Sequence, residues 1–187
     1  MNPALEPLAQ SLREAPVVER NDYDYFVHGV TDGVPLVEPD VLQAVADGMA
    51  DVIDVDAVDL LVAPEAMGIH HATALSLETD LPFVVVRKRE YGFPDEQVLD
   101  QQTSYGEDTL YLNGVEPGDR VVLVDDVYSS GGTLETVYAG LEAAGAEILD
   151  VIVVIRRVDV ADADLSFPVT SLLEVRVDNG SVEVVSS

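Results

Sequence analysis

The chain has 187 residues, of which 48% are apolar, and its 36 acidic and 9 basic side chains give a formal net charge of −27. This length accommodates one well-buried α/β domain and is short for two, so we expect a single active surface. The absence of cysteine excludes a disulfide framework, a thiolate nucleophile and Cys-ligated zinc, and His28, His70 and His71 lack the spacing of a helical zinc pair.

The acidic residues are predicted to lie on the surface of an ordinary core. A charge of −27 is typical of disorder, but periodic apolar segments run through the chain and predict a packed interior. Lys88 is the only lysine. An acidic, nearly lysine-free surface is expected of a protein that works in molar salt, where the Debye length falls to about 3 Å and self-repulsion is screened. The alternative interpretation is an acidic surface that binds a partner.

Charge and hydropathy also indicate which partners are excluded. A charge of −27 repels the phosphate backbone of nucleic acids, so we expect no nucleic-acid binding. No apolar run approaches the roughly 18 residues of a membrane helix, and the N-terminal stretch shows no signal-peptide pattern. We therefore expect a cytoplasmic protein without a membrane segment.

Predicted helices and strands alternate along the chain. In order, they are a helix over 39–53, a strand over 59–64, a helix over 67–79, strands over 82–88 and 121–126, a helix from about 133 to 144 that Gly145 ends, a strand over 148–156, and a hairpin over 171–185 that turns at Asn179 and Gly180. The first of these helices has one apolar face, formed by Val41, Leu42, Val45, Met49, Val52 and Ile53. Apolar strands separated by helices predict a parallel sheet covered on both faces, with ligands at the carboxyl ends of the strands.

One strand ends in two acidic residues that directly precede a loop suited to binding an anion. Asp125 and Asp126 follow four apolar residues, and Ser129-Ser130-Gly131-Gly132-Thr133 leads into the next helix. Free N–H groups and the positive end of the helix dipole attract an anion there, but the loop matches neither the nucleotide-triphosphate nor the dinucleotide motif. Carboxylates accept hydrogen bonds from vicinal hydroxyls and hold Mg²⁺ through its waters. The pattern therefore predicts a ribose 5-phosphate site.

The same stretch, four apolar residues and then D-D-x-x-S-S-G-G-T, resembles the phosphoribosyl-pyrophosphate (PRPP) signature of the type I phosphoribosyltransferases. Four further stretches resemble the archaeal hypoxanthine/guanine phosphoribosyltransferase subfamily, which is related to the adenine enzymes: YDYFVHGVTDGVPLVEP, APEAMGI, VVRKREYG and LYLNG. The likeness covers about residues 12 to 185 and is weakest in the last 30. It implies one domain over 1–187 with the type I α/β fold: a central parallel sheet flanked by helices, a small hood from about 12–37 and 157–187, and a mobile lid loop over about 90–110.

The resemblance implies a role for each part of the anion loop. Ser129, Ser130, Gly131, Gly132 and Thr133 would hold the 5-phosphate of PRPP. Asp125 and Asp126 would hold the ribose hydroxyls and, through water, Mg²⁺.

A second turn with the character of an anion site follows the strand over 59–64. Glu65-Ala66-Met67-Gly68 stands between that strand and a helix, and by itself the motif fits an ordinary helix cap as well. It resembles the family's pyrophosphate loop, which in adenine enzymes reads E-A-R-G. Met67 replaces the arginine, so pyrophosphate would rest here on backbone donors. The adjacent His70 and His71 are interpreted as packed or solvated helix residues rather than catalytic ones.

Arg87-Lys88-Arg89 contains three of the 9 basic residues. A surface ion pair, worth about 0 to 1 kcal/mol, explains this clustering less well than a phosphate clamp does. The resemblance implies that Arg87 and Lys88 reach pyrophosphate across the interface of a homodimer.

Residues 90–110 show no clear period and are too long for a passive connector. The resemblance implies that they form the lid, in which Ser104 and Tyr105 close over PRPP and exclude water from the reacting centre. The alternative is a disordered acidic loop.

The resemblance implies a Mg²⁺-dependent transfer of the phosphoribosyl group from PRPP to a purine base, with hypoxanthine or guanine first and adenine next. No general base can be named. Enzymes of the bacterial and animal hypoxanthine/guanine type carry an Asp where Ser129 stands, and adenine enzymes carry a lid Glu in L-E-Y-G where T-S-Y-G gives Ser104. The alternatives are a PRPP-sensing regulator with the same fold, and a transferase for another base such as xanthine or a pyrimidine.

We expect the fold to depend on salt. Lowering KCl from molar concentrations to about 0.1 M lengthens the Debye length to about 10 Å and restores repulsion among the 36 acidic side chains. The melting temperature, measured by thermal unfolding across that range, should therefore fall as KCl is removed. An unchanged melting temperature would contradict the interpretation of the acidic surface as an adaptation to salt.

Overall fold

A computed structural model describes residues 2–20, 23–103, 106–160 and 165–186. Its helices are α1 (Glu6–Arg13), α2 (Gly29–Asp32), α3 (Pro39–Val52), α4 (Gly68–Thr79) and α5 (Gly132–Ala144), with 3₁₀ turns at Pro3–Leu5 and Val55–Ala57. Its strands are β1 (Val17–Arg20), β2 (Tyr23–Phe26), β3 (Leu60–Pro64), β4 (Phe83–Val86), β5 (Gln97–Thr103), β6 (Gly106–Leu112), β7 (Arg120–Tyr128), β8 (Glu147–Arg157), β9 (Thr170–Asp178) and β10 (Ser181–Ser186). None of the helices in these ranges has the length and apolarity needed to cross a bilayer.

The central sheet has six strands in the order β10-β9-β8-β7-β3-β4. The pairs from β9 to β4 are parallel, and β10 is antiparallel to β9. The turn between β9 and β10 has positive φ at Asn179 and Gly180, as the predicted hairpin requires. The α/β fold with a mostly parallel sheet is therefore confirmed.

Both faces of this sheet are covered, which explains why its inner strands are apolar without interruption. Along β3, Leu61 faces one core while Leu60 and Val62 face the other, and β7 alternates in the same way. The first core lies under α1, α3 and α4, and the second lies under α5. Because each strand must bury both its faces, apolar runs replace the alternating pattern of a half-exposed strand.

The predicted apolar face of α3 is buried at three of its six positions, half-buried at Leu42 and Ile53, and exposed at Val52. Val41, Val45 and Met49 are buried, whereas Val52 is 45% exposed. Gly48 allows α3 to pack closely against the 3₁₀ turn at Pro3–Leu5, because a Cβ on Gly48 would lie 2.8 Å from Leu5 Cδ2. Val52 is the last residue of α3 and extends past the packed face.

The segment predicted as a lid loop over about 90–110 contains a β-hairpin that the sequence analysis did not identify. β5 and β6 pair as antiparallel strands, with Leu99 opposite Leu110. Leu99, Leu110 and Leu112 are buried in the core under α5, while Val98 is 60% exposed. A single buried residue in the described part of β5 is too few to produce a visible period. The predicted lid residues Ser104 and Tyr105 lie outside the described residues.

The base of the hairpin is anchored on α5 by a close contact. Gly140, in the middle of α5, is buried, and a Cβ at this position would lie 2.5 Å from Leu99 Cδ2 and 2.7 Å from Leu99 Cδ1. Glycine inside a helix costs about 0.5 to 1 kcal/mol relative to alanine. Its use at position 140 is explained by the space that Leu99 occupies.

We therefore expect Gly140→Ala to have opposite effects in two backgrounds. In the otherwise unchanged chain the new methyl group should displace Leu99 and lower the free energy of unfolding by roughly 1 to 3 kcal/mol. In a Leu99→Ala background it should raise that free energy by about 0.5 to 1 kcal/mol, because only the helix propensity remains. Thermal unfolding of the four proteins in molar KCl measures both effects, and equal signs in the two backgrounds would contradict the contact.

Candidate functional site

Four neighbouring strands of the sheet bring polar segments to one edge. β8, β7, β3 and β4 lie side by side and run parallel, so their carboxyl ends meet. At these ends stand, in spatial order, Arg156 and Arg157, then 125–133, then 65–68, then 87–89. The structure therefore places the anion loop, the second turn and the basic run in adjacent positions.

The residues of the anion loop line one pocket of about 180 Å³. Its walls are Asp125, Asp126, Val127, Ser129, Ser130, Gly131, Gly132, Thr133 and Leu134. This volume is below the roughly 300 to 1,000 Å³ of complete small-molecule sites, so the pocket holds part of a ligand.

Helix α5 begins at this pocket without a side-chain cap. Its N-cap residue is Gly131, which has a φ of 74° and no side chain that could satisfy the first-turn N–H groups. The left-handed conformation is one that glycine adopts at little cost, and it turns the chain from β7 into the helix. The start of α5 therefore offers N–H donors and the positive end of the helix dipole to an anion.

Asp125 and Asp126 are an adjacent acidic pair that lines the same pocket, with Asp125 buried and Asp126 half-buried. Asp125 is 7% exposed, and its Oδ1 accepts a hydrogen bond from the backbone N–H of Asp126 at 2.9 Å. Burial raises the pKa of Asp125 to about 6, although hydrogen bonds from Asp126 oppose this shift. Burial and the adjacent charge of Asp125 raise the pKa of Asp126 further. No basic side chain contributes to either shift, so within the described ranges the pair lacks a compensating cation.

The turn over 65–68 packs directly against the strand that carries this pair. A Cβ on Gly68 would lie 3.0 Å from the carbonyl oxygen of Val124, and α4 begins here without a side-chain cap. Met67 points elsewhere, because a Cβ on Gly33 in the turn after α2 would lie 3.6 Å from Met67 Cε. The side chain at position 67 therefore supplies no polar group to the turn, and the binding of an anion by the turn's backbone stays a prediction.

Glu65 joins this turn to the basic run after β4. Its Oε1 accepts a hydrogen bond from the backbone N–H of Lys88 at 2.7 Å, and its Oε2 lies 3.0 Å from Arg87 Nε. The backbone of Arg87 is also fixed on its other side, where it exchanges hydrogen bonds with Tyr111 of β6. Three of the predicted pyrophosphate residues, Glu65, Arg87 and Lys88, are thus in contact within one chain.

His71 is a packed core residue, as its predicted interpretation requires. It is fully buried, and its Nε2 lies 2.8 Å from the carbonyl oxygen of Val30, to which it donates. Burial, together with the neighbouring His70, lowers its pKa to about 3, although the hydrogen bond to Val30 opposes this shift. A side chain held neutral in this way supports packing rather than proton transfer.

Arg157 lies at the edge of the candidate site, and the sequence analysis did not identify it as a site residue. It is only 5% exposed, donates from Nη1 to the carbonyl oxygen of Asp24 at 2.9 Å, and binds Asp159 through Nε and Nη2. Its guanidinium carbon lies 4.7 Å from the ring centroid of Tyr23. Arg157 therefore ties β2 to the end of β8 beside the anion loop. The sequence did contain a signal for Arg157. Arg156 and Arg157 stand together at the end of a buried strand, and adjacent cations are as unusual in this chain there as at 87–89.

A larger cavity of about 620 Å³ lies away from the aspartates, between β4 and the base of the hairpin. Its walls include Val84, Tyr91, Phe93 and Leu112, with Arg87 at its edge. Its size alone does not make it the reaction site, because the paired carboxyls and the uncapped α5 lie at the smaller pocket.

Asp126 should make the stability of the ligand-free protein depend on pH. Its pKa is raised in the folded state, so the folded protein binds more protons than the unfolded chain at neutral pH, and the free energy of unfolding decreases as pH rises. Asp126→Asn removes this dependence and should raise the melting temperature at pH 8 by about 2 to 8 °C, corresponding to roughly 1 to 2 kcal/mol, and much less at pH 5. Thermal unfolding at both pH values in molar KCl, with exposed Asp51→Asn as control, makes the comparison. Equal stabilisation at the two pH values would contradict the assignment.

Comparison with known proteins identifies the family and the fold. The phosphoribosyl transferase domain family matches residues 36–185. The chain is 66% identical over 185 residues to HGPRTase-like protein 3 of Haloterrigena turkmenica, covering 99% of this chain and 100% of that protein. It is 47% identical to HGPRTase-like protein 2 of Haloferax volcanii, over 96% of this chain and 99% of the relative.

Among solved structures, the adenine phosphoribosyltransferase of Thermoanaerobacter pseudethanolicus superposes with a TM-score of 0.75 at 25% identity, covering 91% of this chain and 99% of that one. The edge of the sheet that carries Asp125, Asp126 and the uncapped α5 lies within the matched domain. The chain therefore belongs to the phosphoribosyltransferase family, as a type I purine phosphoribosyltransferase of the haloarchaeal HGPRTase-like kind.

Proposed function

We propose that this protein transfers the phosphoribosyl group of PRPP to hypoxanthine or guanine, giving a nucleoside 5-monophosphate and pyrophosphate. The observation that carries the proposal is the pocket in which a buried carboxyl pair faces the uncapped start of α5. Two carboxyls beside an anion site would be unfavourable for a ligand that is anionic throughout. They suit a ligand with a phosphate at one end and hydroxyl donors beside it.

Different segments of the site bind the 5-phosphate, the ribose and the pyrophosphate of PRPP. The N–H groups of 131–133 and the hydroxyls of Ser129, Ser130 and Thr133 bind the 5-phosphate, while Asp125 and Asp126 accept hydrogen bonds from the ribose hydroxyls. The turn over 65–68, with Arg87 and Lys88, binds the pyrophosphate. Holding both ends of PRPP orients C1 for attack by a ring nitrogen of the base, and the groups around the leaving pyrophosphate stabilise its charge as the C1–O bond breaks.

The carboxyl pair fits Mg²⁺ as the cofactor. Burial without a compensating cation raises the pKa of both carboxyls, and a divalent cation would favour their charged forms. Among the described residues no group of three or more acidic or histidine side chains could enclose a metal by itself. This suits Mg²⁺, which binds through one or two carboxylates together with waters and substrate phosphates. When bound, the ion would neutralise charge on the pyrophosphate.

The choice of base rests on the relatives. Proteins that are 46 to 66% identical over nearly the whole chain are named HGPRTase-like, whereas the adenine enzymes are similar at 25% identity or less. Hypoxanthine and guanine are therefore the first candidates and adenine the next. Ser129 occupies the loop position where an aspartate would receive the proton of the base, and no described residue is assigned that role.

The decisive experiment measures pyrophosphate release from PRPP with a panel of nucleobases in molar KCl and Mg²⁺. We expect turnover with hypoxanthine or guanine, slower turnover with adenine, and none with pyrimidines. A folded protein that binds PRPP and releases no pyrophosphate with any purine would overturn the proposal in favour of a PRPP-sensing regulator.

Asp126→Asn should lower kcat/KM by roughly 30- to 1,000-fold, because replacing one charge-assisted acceptor removes about 2 to 4 kcal/mol of transition-state stabilisation. The same substitution at exposed Asp51 on α3 serves as the matched control and should leave kcat/KM within about two-fold. A loss of less than about five-fold in Asp126→Asn would argue against a direct contact with the ribose.

A further inference from the structure

Strands β1 (Val17–Arg20) and β2 (Tyr23–Phe26) pair with each other as a short antiparallel unit, the β1–β2 ribbon. Of the residues in these two strands only Phe26 is buried, and Tyr25 is 47% exposed. A two-stranded ribbon with so little buried surface is at best marginally stable by itself. Its position therefore depends on specific contacts with another part of the chain.

Arg157, the last residue of β8, connects the β1–β2 ribbon to the central sheet. Its Nη1 donates to the backbone carbonyl of Asp24 at 2.9 Å, and its guanidinium carbon lies 4.7 Å from the ring centroid of Tyr23 and 6.0 Å from that of Phe26. Its Nε and Nη2 donate to the two carboxylate oxygens of Asp159. Because all three nitrogens of the guanidinium have acceptors within the protein, Arg157 acts as a connector rather than as a ligand for substrate.

This contact needs an explanation, because Arg157 is buried and positive charge is scarce in this chain. Removing a guanidinium from water is unfavourable unless it is paired and hydrogen-bonded, and Arg157 is one of 9 basic residues beside 36 acidic ones. A buried ion pair often contributes little net stability. A guanidinium that faces both oxygens of one carboxylate does, however, have a defined orientation. The position that Arg157 gives the ribbon explains the contact better than stability does.

Arg157 holds the β1–β2 ribbon on one side of the anion loop, and the second turn lies on the other side. Strand order places β8 and β3 on opposite sides of β7. Arg156 is the register partner of Tyr128, the residue directly before the loop over 129–133, and Arg157 follows it. The turn over 65–68 follows β3. Along this edge of the sheet the order is therefore the contact of Arg157 with the ribbon, the anion loop, and the second turn.

Under the proposed function, this order decides from which side a base approaches C1 of PRPP. The ribose lies at the end of β7, and the pyrophosphate lies at the second turn, on the β3 side. In a direct displacement at C1 of a sugar, the incoming group enters on the face opposite to the departing group. The base would therefore enter from the β8 side, where Arg157 holds the ribbon.

We propose that Arg157 is a positioning residue that holds the β1–β2 ribbon beside the anion loop, so that the ribbon forms one wall of the site for the purine base. The identity of the ligand rests on the proposed function. Arg157 acts through the ribbon and does not touch the base. Without Arg157 the ribbon leaves this position in part of the molecules, and the affinity for the base falls with the fraction in which the wall is in place.

Calorimetric titration with two ligands in molar KCl tests this role without requiring turnover. Ribose 5-phosphate reports binding at the anion loop, and inosine 5-monophosphate adds hypoxanthine to the same group. We expect Arg157→Gln to weaken binding of inosine 5-monophosphate by about 5- to 20-fold, because the competent state becomes a minor one, and to leave ribose 5-phosphate binding within about two-fold. Equal weakening of both ligands, or weakening of neither, overturns the inference. So does a wild-type protein that binds the two ligands with the same affinity.

Asp159→Asn provides the test if Arg157→Gln fails to fold. It keeps the size of the side chain and lies outside the ribbon, but it removes the charge that orients the guanidinium, and it should produce the same selective loss. The matched control is a second pair of this type at the opposite edge of the sheet, where Arg120 Nη2 lies 2.7 Å from Asp59 Oδ1. Asp59→Asn and Arg120→Ala should leave the affinity for both ligands unchanged.

A fluorescence measurement distinguishes positioning from a general loss of stability. The chain contains no tryptophan, so Tyr25→Trp places a single fluorophore on an exposed part of the ribbon. The anisotropy of this fluorophore should fall when Arg157→Gln or Asp159→Asn is added, at a temperature at which circular dichroism still reports a folded protein. Unchanged anisotropy in both backgrounds would show that the ribbon keeps its position, and would overturn the inference.

Failure of the proposed activity is distinguishable from failure of this role. If Arg157→Gln selectively weakens inosine 5-monophosphate and the wild-type protein transfers no phosphoribosyl group from PRPP, the positioning role stands and only the activity fails. If transfer occurs, Arg157→Gln should raise KM for hypoxanthine by about 5- to 20-fold and leave KM for PRPP within about two-fold. An equal rise in both KM values would overturn the positioning role while the activity stands.

Discussion

The carboxyl edge of the central sheet is organised around two adjacent carboxyls, one buried and the other half-buried. Asp125 and Asp126 lie in the carboxyl-terminal half of β7, between the parallel strands β8 and β3 and shortly before the uncapped start of α5. Burying both groups without a cation is unfavourable, and the raised pKa values express that penalty. The fold maintains it because both faces of the sheet are tightly covered, so the strand cannot move to expose the pair. Under the proposed function, a ligand with hydroxyl donors and a bound cation would relieve this penalty, so the cost to the free protein would favour substrate binding.

The arginines described at the site edge are held in specific contacts rather than spread over the acidic surface. Arg157 binds a backbone carbonyl and an aspartate beside the anion loop, and Arg87 lies against Glu65 at the second turn. The contact of Arg87 with Glu65 and that of Arg157 with the carbonyl oxygen of Asp24 each join two segments that are distant in sequence. Because the net charge is −27, an uncommitted cation would be attracted to many competing carboxylates. A contact with a nearby acceptor fixes the orientation of each guanidinium, and therefore also the direction of its remaining N–H donors.

Sequence reasoning located the anion loop, the second turn and the basic run, because each follows an apolar strand and the carboxyl ends of parallel strands share one edge. It did not find the hairpin over 97–112, since in its described part the buried positions are Leu99, Leu110 and Leu112 and these lie too far apart to form a visible pattern. It also missed Arg157, whose partners Asp24 and Tyr23 precede it by more than 130 residues. Contacts over such a separation leave no periodic trace in a single sequence.

The sequence by itself determined the α/β class, the order of the main helices and strands, and the chemistry at the ends of β3, β4 and β7, because periodicity and residue type are local properties that every short stretch displays. Only the tertiary structure decided that Met67 turns toward Gly33, that Glu65 takes Arg87 as its neighbour, and that Gly140 leaves room for Leu99. These are choices among side-chain partners, and they depend on which surfaces the strand order brings together. A linear pattern specifies which residues must be buried or charged, whereas packing in three dimensions selects the groups that they meet.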